Sequence, residues 1–355
     1  MQFYKWLAFV CMWFLTLGLS GQKSNKDSIV NEFTMYFEAK GLVDSANYEK
    51  ALPLLKKAIK LKPDYWEAYN LTGKSKIKLG LYKEAKKDLD KAEKIAPMNY
   101  ESLKWKGINF YLLNEFNDSK YYLDTAAFFE NEEKLDDAEL YYYRALLMFK
   151  GKVYKQALTT CETALDFSPK YIEVIQLKGE IRFEKKEYNY AIKELNEAIA
   201  LMSDLNTNYY AFKLRAKSKF EVGDFIGAVK DWNVYIDANP DEEEALVSRA
   251  SAKINANDNS GAIVDLDAAI KLNSKNPVSY CYRGVAKGGN RQYVEALKDL
   301  DYSIKLKFDY STAYVNRAAI KMASKDKRGA CEDLRKADGL GNEMAVRLYE
   351  KYCRN

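Results

Sequence analysis

The apolar positions of this chain recur with helical spacing and then start again after 34 residues. The stretch YVNRAAIK at residues 314–321 shows the pattern. Tyr314, Ala318 and Lys321 share one helical face, and Arg317 sits beside them where an apolar residue belongs. YCYRGVAK from Tyr280, LVSRASAK from Leu246 and FKLRAKSK from Phe212 repeat it at the same step. The register holds from residue 32 to about 344 in nine units, which start at Glu32, Trp66, Tyr100, Ala138, Ile172, Tyr209, Glu243, Pro277 and Ser311. Residues 134–137 and 206–208 are insertions into it. A fixed step of this size marks a stacked array in which no unit buries its apolar face alone. Each unit predicts two helices, A then B, and residues 342–355 predict a last helix that caps the exposed end.

Position eight of the unit is Ala or Gly in every copy, from Ala39 and Gly73 to Gly284 and Ala318. Position 20 is alanine in eight copies and Ser119 in the third, and position 27 is alanine in seven. Small side chains there let helices A and B approach closely, while large ones such as Tyr69, Phe212 and Tyr314 at position four fill between them. Pro63, Pro97, Pro169 and Pro240 hold position 32, where proline ends the second helix. This pattern resembles the tetratricopeptide repeat, a helix–turn–helix unit with these small, aromatic and proline positions. The resemblance implies an all-α fold, a right-handed α-solenoid of stacked antiparallel helix pairs. The third unit departs most: Ser119 replaces alanine, Asn131 replaces proline, and ENEEKLDD follows. A local irregularity is expected there.

Residues 1–20 read as a secretory signal and 21–31 as a leader. Lys5 supplies the positive start, Trp6 to Ser20 is an uncharged apolar run, and Gly18 and Ser20 are the small residues wanted before a cleavage site. A membrane span needs roughly 20 apolar residues, so a retained anchor is the weaker reading. The expected location is outside the cytoplasm, in a bacterial periplasm or envelope or secreted, with no span in the mature chain.

Composition narrows the chemistry. The chain has no histidine, which removes the commonest general base and metal ligand near neutral pH. Basic and acidic residues nearly balance, 56 against 51, which argues against nucleic acid. No phosphate-binding glycine loop and no CxxC is present, and the two S-x-x-K matches are at chance level in so lysine-rich a chain. No catalytic residue, metal site or cofactor is expected.

The charged residues inside helix A are more informative. Arg215, Arg249, Arg283 and Arg317 hold position seven, and Lys219, Lys253, Lys287 and Lys321 hold position 11. Position 23 of helix B in the same copies is Asp231, Asp265, Asp299 and Asp333. Where position 11 becomes Leu42, Phe110 or Met148, position 23 becomes Leu54, Tyr122 or Thr160. A site for an external anion needs no counter-charge of its own in register, so the trio reads as an internal ion-pair ladder.

In the family the pattern resembles, helix A lines a concave groove, which implies that positions two, 12, five and nine face it, the last two carrying the candidate site residues. Here they give Tyr36, Lys40, Asn70, Lys74, Lys104, Tyr142, Gln176, Glu180, Lys213 and Lys217, whereas the last three copies offer only small and apolar residues. Lysine with tyrosine suits an extended acidic peptide or a carboxylate terminus. The family's carboxylate clamp is not carried over, because Lys104 is followed at position nine by Ile108. The reading is a non-catalytic scaffold for a protein or peptide partner. The alternative is an exported enzyme or carbohydrate-binding protein using Tyr142, Tyr143 and Phe149. Of the cysteines, Cys161 and Cys281 lie four repeats apart, too far to bridge. Cys331 faces the terminal helix that carries Cys353, and both a disulfide and two buried thiols remain open.

Overall fold

The computed structural model describes residues 31–133, 135–202 and 209–354. The expected signal, all of the leader but Asn31, and the insertion at 206–208 lie outside the described residues. Among the described residues there are nineteen helices and no strand. Helix A of successive repeats is Glu32–Asp44, Trp66–Lys78, Tyr100–Leu112, Ala138–Lys150, Ile172–Glu184, Tyr210–Glu221, Glu243–Asn255, Pro277–Gly289 and Ser311–Ala323. Helix B is Tyr48–Leu61, Tyr82–Ile95, Phe116–Glu133, Tyr154–Phe167, Tyr188–Leu201, Phe225–Ala238, Asn259–Leu272, Tyr293–Leu306 and Lys327–Gly339, and Glu343–Cys353 closes the array. The chain divides into two compact units, Met1–Tyr122 and Leu123–Asn355, with the boundary inside helix B of repeat three. Within each unit, helix A packs on its own helix B and on helix A of the next repeat.

One backbone device ends helix A every time. The residue at position 15 adopts positive φ in all nine copies: Ala46, Gly80, Asn114, Lys152, Lys186, Gly223, Asn257, Arg291 and Lys325. The next N–H then reaches back to the carbonyl at position 11, as in Asn47 to Leu42 at 2.7 Å and Asp326 to Lys321 at 2.8 Å. This six-to-one bond is the Schellman closure of a helix C-terminus. Only two copies use glycine, so seven side chains sit in a region that costs roughly 1–2 kcal/mol. Helix B then starts on a cap: Asp224, Asp258 and Asp326 each accept from the N–H three residues on, at 2.9 Å.

Small residues do the close packing. All eight alanines at position 20 are fully buried, and Ser119 is tolerated there because its hydroxyl donates to Gly107 O at 2.8 Å. At position eight, a Cβ on Gly73, Gly179 or Gly284 would meet Leu89, Leu195 or Leu300 at 2.6–2.8 Å, so those leucines fill space the glycine leaves. Truncating such a buried leucine to alanine costs about 2–5 kcal/mol. The acidic insertion after repeat three is taken up partly as helix: helix B there runs 18 residues, against 14 in its neighbour.

Candidate partner-binding face

The charges inside the repeats meet one another. Asp265, almost wholly buried, accepts from Arg249 Nε at 2.9 Å and Nη2 at 2.7 Å, and Lys253 Nζ lies 2.8 Å from it. Arg215–Lys219–Asp231, Arg283–Lys287–Asp299 and Arg317–Lys321–Asp333 repeat the trio, with arginine contacts of 2.6–2.7 Å and lysine contacts of 2.6–2.9 Å. The remaining guanidinium nitrogen, Nη1, turns backward to position 25 of the preceding repeat. It meets Asn196 at 2.8 Å, Asn233 at 3.0 Å, Asp267 at 2.7 Å and Asp301 at 2.6 Å. Each arginine therefore ties helix B of its own repeat to helix B of the one before. Where position 23 is not acidic the backward contact remains: Arg144 meets Asp124 at 3.1 Å, and Lys106 meets Asp90 at 2.6 Å and also Glu93, while it bonds Tyr122 at position 23 of its own repeat. These charges are spent within the fold, which leaves the rest of helix A to face outward.

In the first unit, helix A of repeats one to three lines a cleft of 180 Å³. Tyr36, Lys40, Asn70 and Lys74 all line it, with Asp44, Trp66, Glu67, Glu101 and Trp105. Trp105 Nε1 donates to Glu101 at 3.0 Å, and Lys74 Nζ sits 5.0 Å from the Trp105 ring centre. Burial, and next the carboxylates of Glu67, Glu101 and Asp44, push the Tyr36 hydroxyl up to about 12. Asn70 is 6% exposed, and its Oδ1 has no hydrogen-bond partner. Lys104 differs from the sequence expectation: it is buried, with its ammonium 4.9 Å from the Trp105 ring centre.

In the second unit the polar residues of this face pair from one repeat to the next. Tyr210 donates to Glu180 at 2.7 Å, Lys213 meets Glu242 at 2.6 Å, and Lys217 meets Glu244 at 3.1 Å. Burial raises the Glu180 carboxyl above its ordinary range despite the bond from Tyr210. Tyr142 packs against Tyr143 and Tyr171, at 5.3 and 5.5 Å between ring centres, while Gln176 is half-buried. A cleft of 350 Å³ opens among Phe183, Phe220, Trp232, Val247, Val278 and Tyr282, with Lys217 and Glu244 at its lining. Another, of 470 Å³, lies among Val315, Ala318, Met322, Leu334, Leu348 and Tyr352. Beside it Cys331 and Cys353 are bonded, with Cα atoms 5.8 Å apart, which fixes the last helix to helix B of repeat nine. Cys161 and Cys281 are free and buried, and burial pushes their thiols up to about 12 and about 11.

The family model for the tetratricopeptide repeat matches residues 37–100. That stretch supplies the register on which all nine helix pairs fall. Residues 37–100 are tetratricopeptide repeat. It is similar to the APC/C hetero-tetramer Cut9–Hcn1 at 12% identity, covering 99% of this chain and 81% of that one, with a TM-score of 0.49. For Pseudomonas aeruginosa PilF the figures are 13%, 60%, 96% and 0.47. For yeast Tom70 they are 16%, 90%, 87% and 0.40. No curated protein matches the chain.

The register turns positions two, five, nine and 12 to this face, and these supply most of the 350 Å³ cleft, but it does not point to Trp232. Phe183 and Phe220 stand at position 12, Val278 and Glu244 at position two, and Trp232 at position 24 where most copies have leucine. The signal was present at Trp232, the one tryptophan at that position. Val247, Ser251, Val315 and Ala319, small or apolar in the sequence, line the two roomier clefts.

Proposed function

We propose that this chain is a non-catalytic scaffold that binds a protein or peptide segment along the helix-A face. One observation carries the reading: helix A of repeats one to three builds a cleft lined by Trp66, Trp105 and Asn70, whose buried amide oxygen has no partner. Aromatic side chains, Tyr36, Trp66 and Trp105, beside convergent charged and amide groups are a make-up that suits a binding site. The two clefts of the second unit, lined by Phe220, Trp232 and Met322 among others, suit apolar side chains of the same kind of segment. Lys217 and Glu244 form a largely exposed pair worth about 0.2–1 kcal/mol, so a partner carboxylate competes with Glu244 at little cost. An acidic stretch in the partner is part of the proposal on that basis.

We place its work outside the cytoplasm. The apolar leader in the sequence supports this, and so does the Cys331–Cys353 bond, since disulfides persist in oxidising compartments. No helix among the described residues is long and apolar enough to cross a membrane.

Affinity capture from an envelope extract tests the reading. The wild-type chain and the Trp66→Ala/Lys217→Glu/Val247→Lys variant are compared as baits. Proteins retained by the first and lost by the second support it. Retention of glycan alone, lost on Tyr142→Ala/Tyr143→Ala, establishes the carbohydrate alternative instead.

A further inference from the structure

We propose that the first-unit cleft takes a guanidinium or ammonium side chain of the partner, held by Glu67, Glu101, Asp44 and the Asn70 carbonyl beside Trp66. The inference rests on the reading that a peptide segment lies on the helix-A face, and it names the residue type that the cleft selects.

The lining carries three carboxylates against the ammoniums of Lys40 and Lys74. Among the described residues, Asp44 and Glu67 have no ion-pair partner, and Glu101 is met by the neutral Trp105 indole N–H. The Lys74 ammonium is instead held 5.0 Å from the Trp105 ring centre. The field at the Tyr36 hydroxyl is negative accordingly: after burial, the three carboxylates are what push it up to about 12. Beside them Asn70, 6% exposed, lines the cleft, and its buried side-chain carbonyl oxygen has nothing bonded to it. A buried acceptor without a donor carries its full desolvation cost, which a bound donor removes.

These groups accept and do not donate. A guanidinium brings five donors in a plane and no acceptor, and an ammonium brings three. Either also stacks favourably on an indole face such as Trp66. A carboxylate of the partner would face acceptors at every one of these points, and a neutral sugar would leave the excess negative charge unmet.

The test uses the full chain, immobilised, and three peptide libraries with random flanks, fixed at the centre as Arg/Lys, Asp/Glu or Gln, together with cellohexaose as a neutral glycan probe. The basic library should be enriched about tenfold over the other two, the ratio that one charge-assisted hydrogen bond supplies. Glu67→Gln/Glu101→Gln should abolish that preference, and Asn70→Asp, which adds a carboxylate at the floor, should increase it. The gain in Asn70→Asp cannot come from misfolding, and the urea midpoint of the glutamine variant checks its fold. Enrichment of the acidic or neutral library overturns the cation site. If that enrichment is also lost on Lys217→Glu/Val247→Lys, the peptide reading stands without it. A basic preference that survives Glu67→Gln/Glu101→Gln likewise overturns the site. Retention of cellohexaose alone, or of no probe, overturns both.

Discussion

Asp265→Thr isolates the worth of the ladder. The substitution removes a carboxylate that is 3% exposed and leaves Arg249 and Lys253, 16% and 15% exposed, facing a hydroxyl. Stranding a fully buried charge costs about 3–5 kcal/mol. Here Arg249 keeps Asn233 at 3.0 Å and both heads retain some water, so about 2–3 kcal/mol is expected. Repeat four shows how the chain itself does without the acid. It has Met148 at position 11 and Thr160 at position 23, 3.3 Å apart, and Arg144 pairs backward with Asp124. Asn233→Asp/Lys253→Met/Asp265→Thr copies that arrangement into repeat seven and should cost less than about 1 kcal/mol, because a matched replacement strands no charge. Urea unfolding followed by circular dichroism gives both values. Amide exchange in Glu243–Asn255 localises them, since stacked repeats open locally. A single-variant cost under about 0.5 kcal/mol, or a triple variant as damaged as the single, would refute the reasoning.

Three further outcomes follow from the same geometry. Cys331→Ser/Cys353→Ser opens a loop of 22 residues and should lower stability by about 3 kcal/mol in the chain-entropy model, with faster proteolysis of Glu343–Cys353 as the local readout. Gly80→Ala meets no atom within 4 Å of its new Cβ, so its expected loss of roughly 1 kcal/mol measures the left-handed turn alone, and Lys186→Gly should move the thermal midpoint the other way. Burial pushes the Glu242 carboxyl up, but hydrogen bonds from Lys213 and Tyr235 outweigh it and hold the group below its ordinary 4.5. A lowered carboxyl contributes stability that is complete above pH 4.5 and is lost as the pH falls below it, so the gap between wild type and Glu242→Gln should close on acidification through that range.

The helix pairs were legible in the sequence because sterics at a few positions fix them. Position eight sits against the leucine of position 24, as Gly179 does against Leu195, and only a small residue fits. The nine Schellman turns were not legible, since seven of the nine left-handed residues are alanine, asparagine, lysine or arginine instead of glycine. There the stacked helices dictate the backbone and the side chain tolerates it. The trio at positions seven, 11 and 23 could be read by co-occurrence within a repeat. The backward contact from Arg249 to Asn233 could not, because its partner alternates between amide and carboxylate and lies in another repeat. Lys104 shows the limit of reading a face from register: the same position that leaves Tyr142 half-buried closes over the lysine. The 350 Å³ cleft escaped notice because it is assembled from four repeats, none of which forms the hollow alone.

Site-specific photocrosslinking tests the partner-binding face most directly. A benzoylphenylalanine is placed in turn at Lys74 and Lys217 on helix A, and at Ile226 and Val264 on helix B, where the native side chains are 66% and 68% exposed. Irradiation in an envelope extract is followed by denaturing purification of the chain. A common protein adduct at Lys74 and Lys217, absent at Ile226 and Val264, is the result predicted here. Adducts confined to Ile226 and Val264 would contradict it.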